Sequence, residues 1–321
     1  MKKTFVTVCV IGCAILIFLS GCLSPKNGEQ SVPHSQKWGI YALDLDNNSV
    51  ILIYSNNEKI TTLRLNQAGE RFVFSQRIGG DQNENEEICT INIDGTGFNR
   101  LTNNSYWDIY PAWPPDNSKI AFLSFRDDDL DIYLMNSDGS NQHLLFDSGG
   151  HDADIHWIGN TIVFTSNSSI WKINEDGTEP NQLTFPPKAG EWGNANLPFG
   201  DYDPQLSPDG AKIAFERLEN DTSTHGNYNI FVININGSEE TRLTNTGYSQ
   251  GFPCWSHGGE KILFVVAAID DIGKYDLYQM NANGSNIENI TPSYFPDDFL
   301  CYSGEFSPQD EKIYFVGEWW D

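Results

Sequence analysis

The sequence predicts an all-β protein: a six-bladed β-propeller of four-stranded antiparallel blades, one blade closed by the N- and C-terminal strands. Three observations carry this reading. Phe74, Phe122, Phe164, Phe215, Phe264 and Phe315 recur at gaps of 48, 42, 51, 49 and 51 residues. Each ends a strand-like run, RFVF, KIAF, TIVF, KIAF, KILF or KIYF, and self-similarity at this period marks a repeat architecture. The chain also starts and stops part-way through a repeat, so its ends complete one unit only if they meet in space.

Each repeat has four strands, here A to D. Strand A ends in an apolar residue: Leu65, Trp113, Trp157, Leu206, Trp255 or Phe306. A turn such as SPDGAK (207–212) follows, where Pro-Asp-Gly supplies the turn chemistry. Strand B carries the phenylalanine. Strand C reads EICTIN, DIYLMN, SIWKIN, NIFVIN and DLYQMN, with the period-two alternation of a strand. It runs into Gly95, Gly139, Gly177, Gly237 or Gly284, each preceded by Asp or Asn, a hairpin signal. Six residues after each of these glycines comes the apolar residue of strand D.

The chain ends complete the pattern. The last copy stops after KIYF (312–315) and GEWWD, while GIYALD (39–44) and VILI (50–53) supply a strand C and a strand D. Their union closes a ring and protects the sheet edges.

Successive strands alternate in direction, so the A–B and C–D turns share one face and the B–C and D–A loops share the other. Every C–D turn has the same length. The other face varies: strand B to strand C spans 14, 10, 6, 15 and 13 residues, and strand D to strand A spans 12, 12, 12, 23, 12 and 16. Unequal loops on a rigid frame are where binding is built. The candidate binding residues at the channel-mouth loops are Trp107, Asp108, Tyr110, His151, Asp152, Asp154, Trp192, Asp201, Tyr202, Asp203 and Tyr302. The longest connection, FPPKAGEWGNANLPFGDYD (185–203), reads either as a binding lid, with aromatics for stacking, or as a plug packed on a blade.

HDADIHW (151–157) mixes His and Asp as a metal site does, but His156 also suits a blade interface. RDDDLD (126–131) and DQNENEE (81–87) lack the Gly and Glu placement of an EF-hand and read as solvated acidic loops, with weakly bound calcium as the alternative. No cofactor is otherwise expected. No GxSxG, HExxH, Walker A or dinucleotide fingerprint occurs, so no catalytic residue is assigned.

Residues 1–21 read as a lipoprotein signal peptide: Lys2 and Lys3, an apolar run from Phe5 to Leu19, then Leu19-Ser20-Gly21-Cys22. Cys22 is the lipidation site, and an uncleaved signal anchor is the alternative. Residues 22–37 form a polar linker and 38–321 the propeller. The expected location is exported and lipid-anchored to the membrane, at the cell surface or in the periplasm. Cys9 and Cys13 lie in the signal. Cys254, on the inner strand of one blade, and Cys301, just before the inner strand of the next, are either a disulfide or two buried thiols. Cys89 stands where other repeats have an aromatic and reads as core.

The net charge is −25, with 44 acidic against 19 basic residues. That excludes nucleic acid, whose phosphates need a basic patch.

The runs PAWPPDNSKIAF…DIYLMNSDGSN (111–141), PQLSPDGAKIAF (204–215) and PCWSHGGEKILF (253–264) resemble the TolB-like, WD-type β-propeller family over residues 38–321. The resemblance implies the six-bladed fold. The short stretch between Cys22 and Trp38 leaves no room for the additional N-terminal α/β domain of TolB. The expected function is a membrane-anchored, monomeric protein- or glycan-binding scaffold working through the B–C/D–A face, with a protein or envelope-glycan partner. The alternative is an extracellular polysaccharide lyase or hydrolase with a channel-mouth His/Asp site.

Overall fold

The computed structural model describes residues 36–79, 85–195, 197–220, 226–267 and 274–320. The signal segment, Cys22, most of the linker and part of DQNENEE lie outside these residues. The described chain forms six four-stranded antiparallel sheets and contains no helix. β1 (Gln36–Asp44) and β2 (Val50–Asn56) come first in the chain and belong to the last blade. Blade 1 comprises β3 (Ile60–Leu65), β4 (Arg71–Arg77), β5 (Glu86–Asn92) and β6 (Asn99–Arg100). Blade 2 comprises β7 (Asp108–Ala112), β8 (Lys119–Ser124), β9 (Asp131–Asn136) and β10 (His143–Phe146). Blade 3 comprises β11 (Asp152–Ile158), β12 (Thr161–Ser166), β13 (Ser169–Asn174) and β14 (Asn181–Gln182). Blade 4 comprises β15 (Gly200–Leu206), β16 (Lys212–Asn220), β17 (Asn227–Asn234) and β18 (Thr241–Arg242). Blade 5 comprises β19 (Ser249–Trp255), β20 (Lys261–Ala267), β21 (Tyr275–Asn281) and β22 (Glu288–Asn289). Blade 6 joins β23 (Leu300–Phe306) and β24 (Lys312–Trp320) to β1 and β2. The closure is continuous: β1 and β24 pair from Gln36 opposite Trp320 to Asp44 opposite Lys312.

The six strand-B phenylalanines are all buried and form the middle of the core. Each pairs directly across the sheet with a strand-C residue: Cys89, Tyr133, Trp171, Phe231, Tyr278 or Tyr41. Four of these pairs bring ring centroids to 5.4–5.9 Å, as in Phe122–Tyr133 and Phe315–Tyr41. Cross-strand aromatic pairs of this kind add to area burial. Cys89 takes the aromatic's place in blade 1, and Phe98 and Tyr54 cover its Phe74 partner.

Two repeated polar contacts account for the other recurring residues. The threonine that follows strand D accepts a hydrogen bond from the backbone of strand C. Thr102, Thr184 and Thr244 Oγ1 take the amides of Ile88, Ile170 and Ile230 at 2.9 Å, and Thr291 takes that of Leu277 at 2.8 Å. In the C–D turn, the side-chain amides of Asn92, Asn136, Asn174, Asn234 and Asn281 donate to a hydroxyl four residues on, at 2.9–3.1 Å. The turn glycines lie at φ of 79–87°, which other residues adopt only with strain.

Every innermost strand carries a bulge. The register with strand B shifts between Thr61 and Arg64, Ile109 and Ala112, Ala153 and His156, Tyr202 and Gln205, Gly251 and Cys254, and Cys301 and Gly304. In five blades the bulged residue is left-handed: Thr62, Tyr110, Asp154, Asp203 and Phe252, at φ of 44–55°. A bulge releases a backbone amide from the ladder, and the preceding blade captures it. Ser75 Oγ accepts from Tyr110 N at 3.0 Å, Asp154 Oδ2 from Asp203 N at 3.2 Å, and Glu216 Oε2 from Phe252 N at 3.0 Å. Blades are thus fastened around the axis by side chains that accept bulge amides.

Cys89, Cys254 and Cys301 are buried free thiols. The disulfide reading is therefore not realised: Cys254 Sγ instead lies 3.6 Å from Glu305 Oε2, and burial holds both Cys254 and Cys301 well above the ordinary thiol range.

Candidate functional site

The bulges decide where the sequence-predicted residues sit. Asp108, Tyr110, Asp152, Asp154, Asp201, Tyr202, Asp203 and Tyr302 lie on strand A itself, whereas Trp107, His151 and Trp192 lie in the loops. Asp108, Asp152 and Asp201 open the inner strand and are fully buried. The partners of Asp108 and Asp201 are scaffold. Asp108 accepts from Ser124 Oγ at 2.5 Å and meets Arg126 at 3.2 Å. Asp201 takes a two-pronged contact from Arg217 at 2.5 and 2.9 Å. Tyr202 is buried and donates to Pro198 O at 2.7 Å. Tyr302 stacks between Trp38 and Tyr275 at 5.2 and 5.4 Å and donates to Glu318 at 2.5 Å. These side chains hold the blades in place.

A second group converges on the channel. Arg64, from blade 1, pairs with Glu305 of blade 6 at 3.1 Å. Its guanidinium also acts electrostatically on Asp154 and His156 of blade 3, Asp203 of blade 4 and Cys254 of blade 5. A single side chain that reaches groups of four other blades stands near the ring axis. Sequence reasoning passed over Arg64, a lone polar residue alternating with leucines. Around it, burial pushes the carboxyl of Asp154 up to about 6 and that of Glu216 up to about 8. Burial, then Asp154 and Glu216, raises Asp203 well above the carboxylate range. His156 Nδ1 accepts from Leu206 N at 3.0 Å, and burial followed by Arg64 lowers its pKa to about 3, so the imidazole is neutral. His156 therefore joins blade 3 to blade 4.

His151 Nδ1 accepts from Leu130 N at 3.1 Å, and its ring stacks on Phe125 at 6.0 Å. It does not converge with Asp203 and a second histidine. Among the described residues, one group of acidic or metal-ligating side chains is close enough to share an ion: Asp129, Asp131 and Asp147, with oxygens within 4.8 Å of one another. It lies where the B–C loop of blade 2 meets the D–A connection to blade 3 and contains no histidine.

The long connection is ordered as a cap on its own blade. Ala195, Leu197 and Phe199 pack with Tyr202, Leu218 and Tyr228 of blade 4. Trp192 bridges to Pro198, and Lys188 lies 4.8 Å over the Phe199 ring. Two aromatics of this connection remain outside the cap: Phe185 is 75% and Trp192 62% exposed. Tyr106 and Tyr248, in two other D–A connections, are also exposed. The D–A connections thus leave Phe185, Trp192, Tyr106 and Tyr248 in solvent. A polar groove of about 530 Å³ lies elsewhere, between the C–D turn of blade 6 and strand D of blade 5, lined by Asn48, Gln279, Glu288 and Asp310 among others.

No protein-family model matches the chain. An uncharacterised protein of Agrobacterium fabrum is 26% identical over 50% of this chain and 54% of its own length. A TolB homologue of Chlorobium luteolum is 28% identical over 54% of this chain and 37% of its own length. The chain thus spans about half the length of one curated relative and little more than a third of the other. A Tol-Pal system protein TolB of Francisella tularensis is 23% identical over 73% of this chain and 53% of its own length. A solved TolB-type structure from Agrobacterium tumefaciens superposes with a TM-score of 0.70 at 18% identity, covering 89% of this chain and 99% of that one. TolB from Acinetobacter baumannii superposes at 0.61 and 15% identity, over 79% and 63% of the two chains. An oligogalacturonate lyase in complex with manganese reaches 0.55 at 12% identity, over 88% and 82%. The propeller is TolB-like. The structural likenesses, all at low identity, show the fold alone.

Proposed function

We propose that this chain is an exported, membrane-anchored binding module that docks a protein or envelope-glycan partner on its B–C/D–A face. The exposed aromatics Phe185 and Trp192, held on a capped connection of a rigid ring, carry the reading. Two rigid aromatic side chains left in solvent beside a well-packed cap are the kind of anchor that recognition surfaces use. Arg64, Asp154, Asp203 and Glu305 are held by contacts between blades, which leaves the exposed aromatics as the side chains free to meet a partner. A strongly acidic chain favours a partner with basic character. Relatives named for the Tol-Pal system support a place in a protein assembly, and the lipobox at Cys22 supports a membrane anchor.

The test is capture from an envelope extract, in parallel with a glycan array, using wild type, the Phe185→Ala/Trp192→Ala pair and a Phe98→Ala control in a C–D turn. A partner retained by wild type and the control but lost by the pair supports the proposal. Undiminished capture by the pair, or turnover of a polysaccharide with no retained partner, overturns it.

A further inference from the structure

We propose that Asp129, Asp131 and Asp147 form a binding site for a hard divalent cation of the calcium class. Nothing in the channel or in the docking proposal uses these residues. Asp129 lies in the B–C loop of blade 2, Asp131 opens β9, and Asp147 follows β10. One carboxylate oxygen from each lies within 4.8 Å of the other two. Three anionic oxygens at that spacing repel one another, yet the fold holds them together. Two hydrogen bonds at Leu130 enforce it: Asp152 N donates to Leu130 O at 2.8 Å, and Leu130 N donates to the side chain of His151 at Nδ1, at 3.1 Å. The loop residue between Asp129 and Asp131 is therefore clamped to the connection that carries Asp147.

A second observation points to a ligand. Asp131 is 1% exposed, and its Oδ1 is buried with no hydrogen-bond donor among the described residues. A buried carboxylate oxygen without a donor costs free energy unless a cation or proton meets it. The neighbouring acids add to that cost. Asp127 is occupied by the Tyr133 hydroxyl at 2.9 Å, and Asp152 is fully buried against Asp131. Arg126, the nearest basic side chain in sequence, is engaged with Asp108 and Gln142. The site is thus all-oxygen, strongly anionic and open on the side of Asp147, which is exposed. That donor set suits calcium, which takes six to eight oxygens in flexible geometry, with water completing the shell. Absence of histidine and thiolate disfavours zinc. A cation here would tie the B–C loop of blade 2 to the D–A connection of blade 3 on the variable face.

The experiment uses the full-length chain in detergent, freed of metal by chelation, titrated with CaCl₂ and separately with MgCl₂ by calorimetry and thermal melting. Asp147→Asn is the main variant because its exposed side chain leaves the fold intact; Asp129→Asn is the second, and Asp297→Asn/Asp298→Asn is an acidic-loop control. A site of one cation per chain raises the wild-type melting temperature with calcium concentration, by mass action. The proposal expects that rise in wild type and control, and a loss of affinity of tenfold or more in Asp147→Asn and Asp129→Asn. A wild type indifferent to millimolar calcium overturns it, and so does a rise that survives in both variants. Neither result bears on capture through Phe185 and Trp192, so the two proposals fail separately.

Discussion

Asp201 on β15 and Arg217 on β16 form a two-pronged ion pair inside blade 4, Nε to Oδ1 at 2.5 Å and Nη2 to Oδ2 at 2.9 Å. The guanidinium also lies 4.6 Å over the Phe231 ring and reaches Glu240 at 2.7 and 2.8 Å. Asp201 is fully buried, and its burial is tolerable because the fork satisfies both oxygens. Arg217→Ala should therefore destabilise the domain by about 3–5 kcal/mol, since it strands a buried carboxylate. Arg217→Lys should recover part of the charge and little of the fork. Urea unfolding of the two variants checks this, and equal stability for wild type and Arg217→Ala would refute it.

The channel acids give a pH dependence of definite sign. Burial raises Glu216 to about 8 and Asp154 to about 6 in the folded state, against ordinary values near 4 when unfolded. Between those limits the unfolded chain releases protons that the folded chain keeps. The unfolded state then binds fewer protons, so the stability contributed by these two acids falls as pH rises from about 4.5 to about 8. Thermal melts from pH 5 to 8.5 should show a declining melting temperature. Glu216→Gln keeps an acceptor for Phe252 N and should flatten the upper part of the decline.

The frame was legible because it is periodic. Phenylalanine spacing gave six strands B, turn glycines gave the C–D hairpins, and the incomplete first and last copies gave a ring closed by β1 against β24. The bulges were not legible. Their left-handed residues are Thr62, Tyr110, Asp154, Asp203 and Phe252, which share no chemistry, and the strain is met by contacts from the preceding blade. One signal was available: Asp108, Asp152 and Asp201 each precede the last apolar residue of strand A by five. A carboxylate at a fixed repeat position belongs to the frame, and in the structure Asp108 and Asp201 do. Arg64 gave no such signal, because its role depends on where the ring axis runs.

The threonine after strand D makes a sharper test of the frame. Thr184 is buried and accepts the Ile170 amide at 2.9 Å. Thr184→Val keeps the shape and removes the acceptor, leaving a buried amide unpaired at a cost of about 1–3 kcal/mol. Thr184→Ser keeps the oxygen and should lose much less. Equal loss in the two variants would mean that the methyl group, and not the hydrogen bond, selects threonine at this position.

Ring closure should set the stability of the whole domain. Ile40 on β1 lies opposite Val316 on β24, and both are fully buried. Leu52, on the outer strand β2 of the same blade, is 48% exposed. Ile40→Ala should cost about 2–5 kcal/mol through lost burial and a residual cavity. Leu52→Ala should fall within about 0.5 kcal/mol of wild type, as exposed substitutions do. The larger effect has a second consequence, because β1 is the element that covers the inner half of blade 6. When it detaches, β24 presents an unpaired edge nine residues long, a template for pairing with another chain. Ile40→Ala should therefore form dimers and larger species during partial urea unfolding, at urea concentrations where wild type and Leu52→Ala remain monomeric by size-exclusion chromatography. If Ile40→Ala unfolds without associating, blade 6 opens only together with the rest of the ring, and the closure is not a separate weak point.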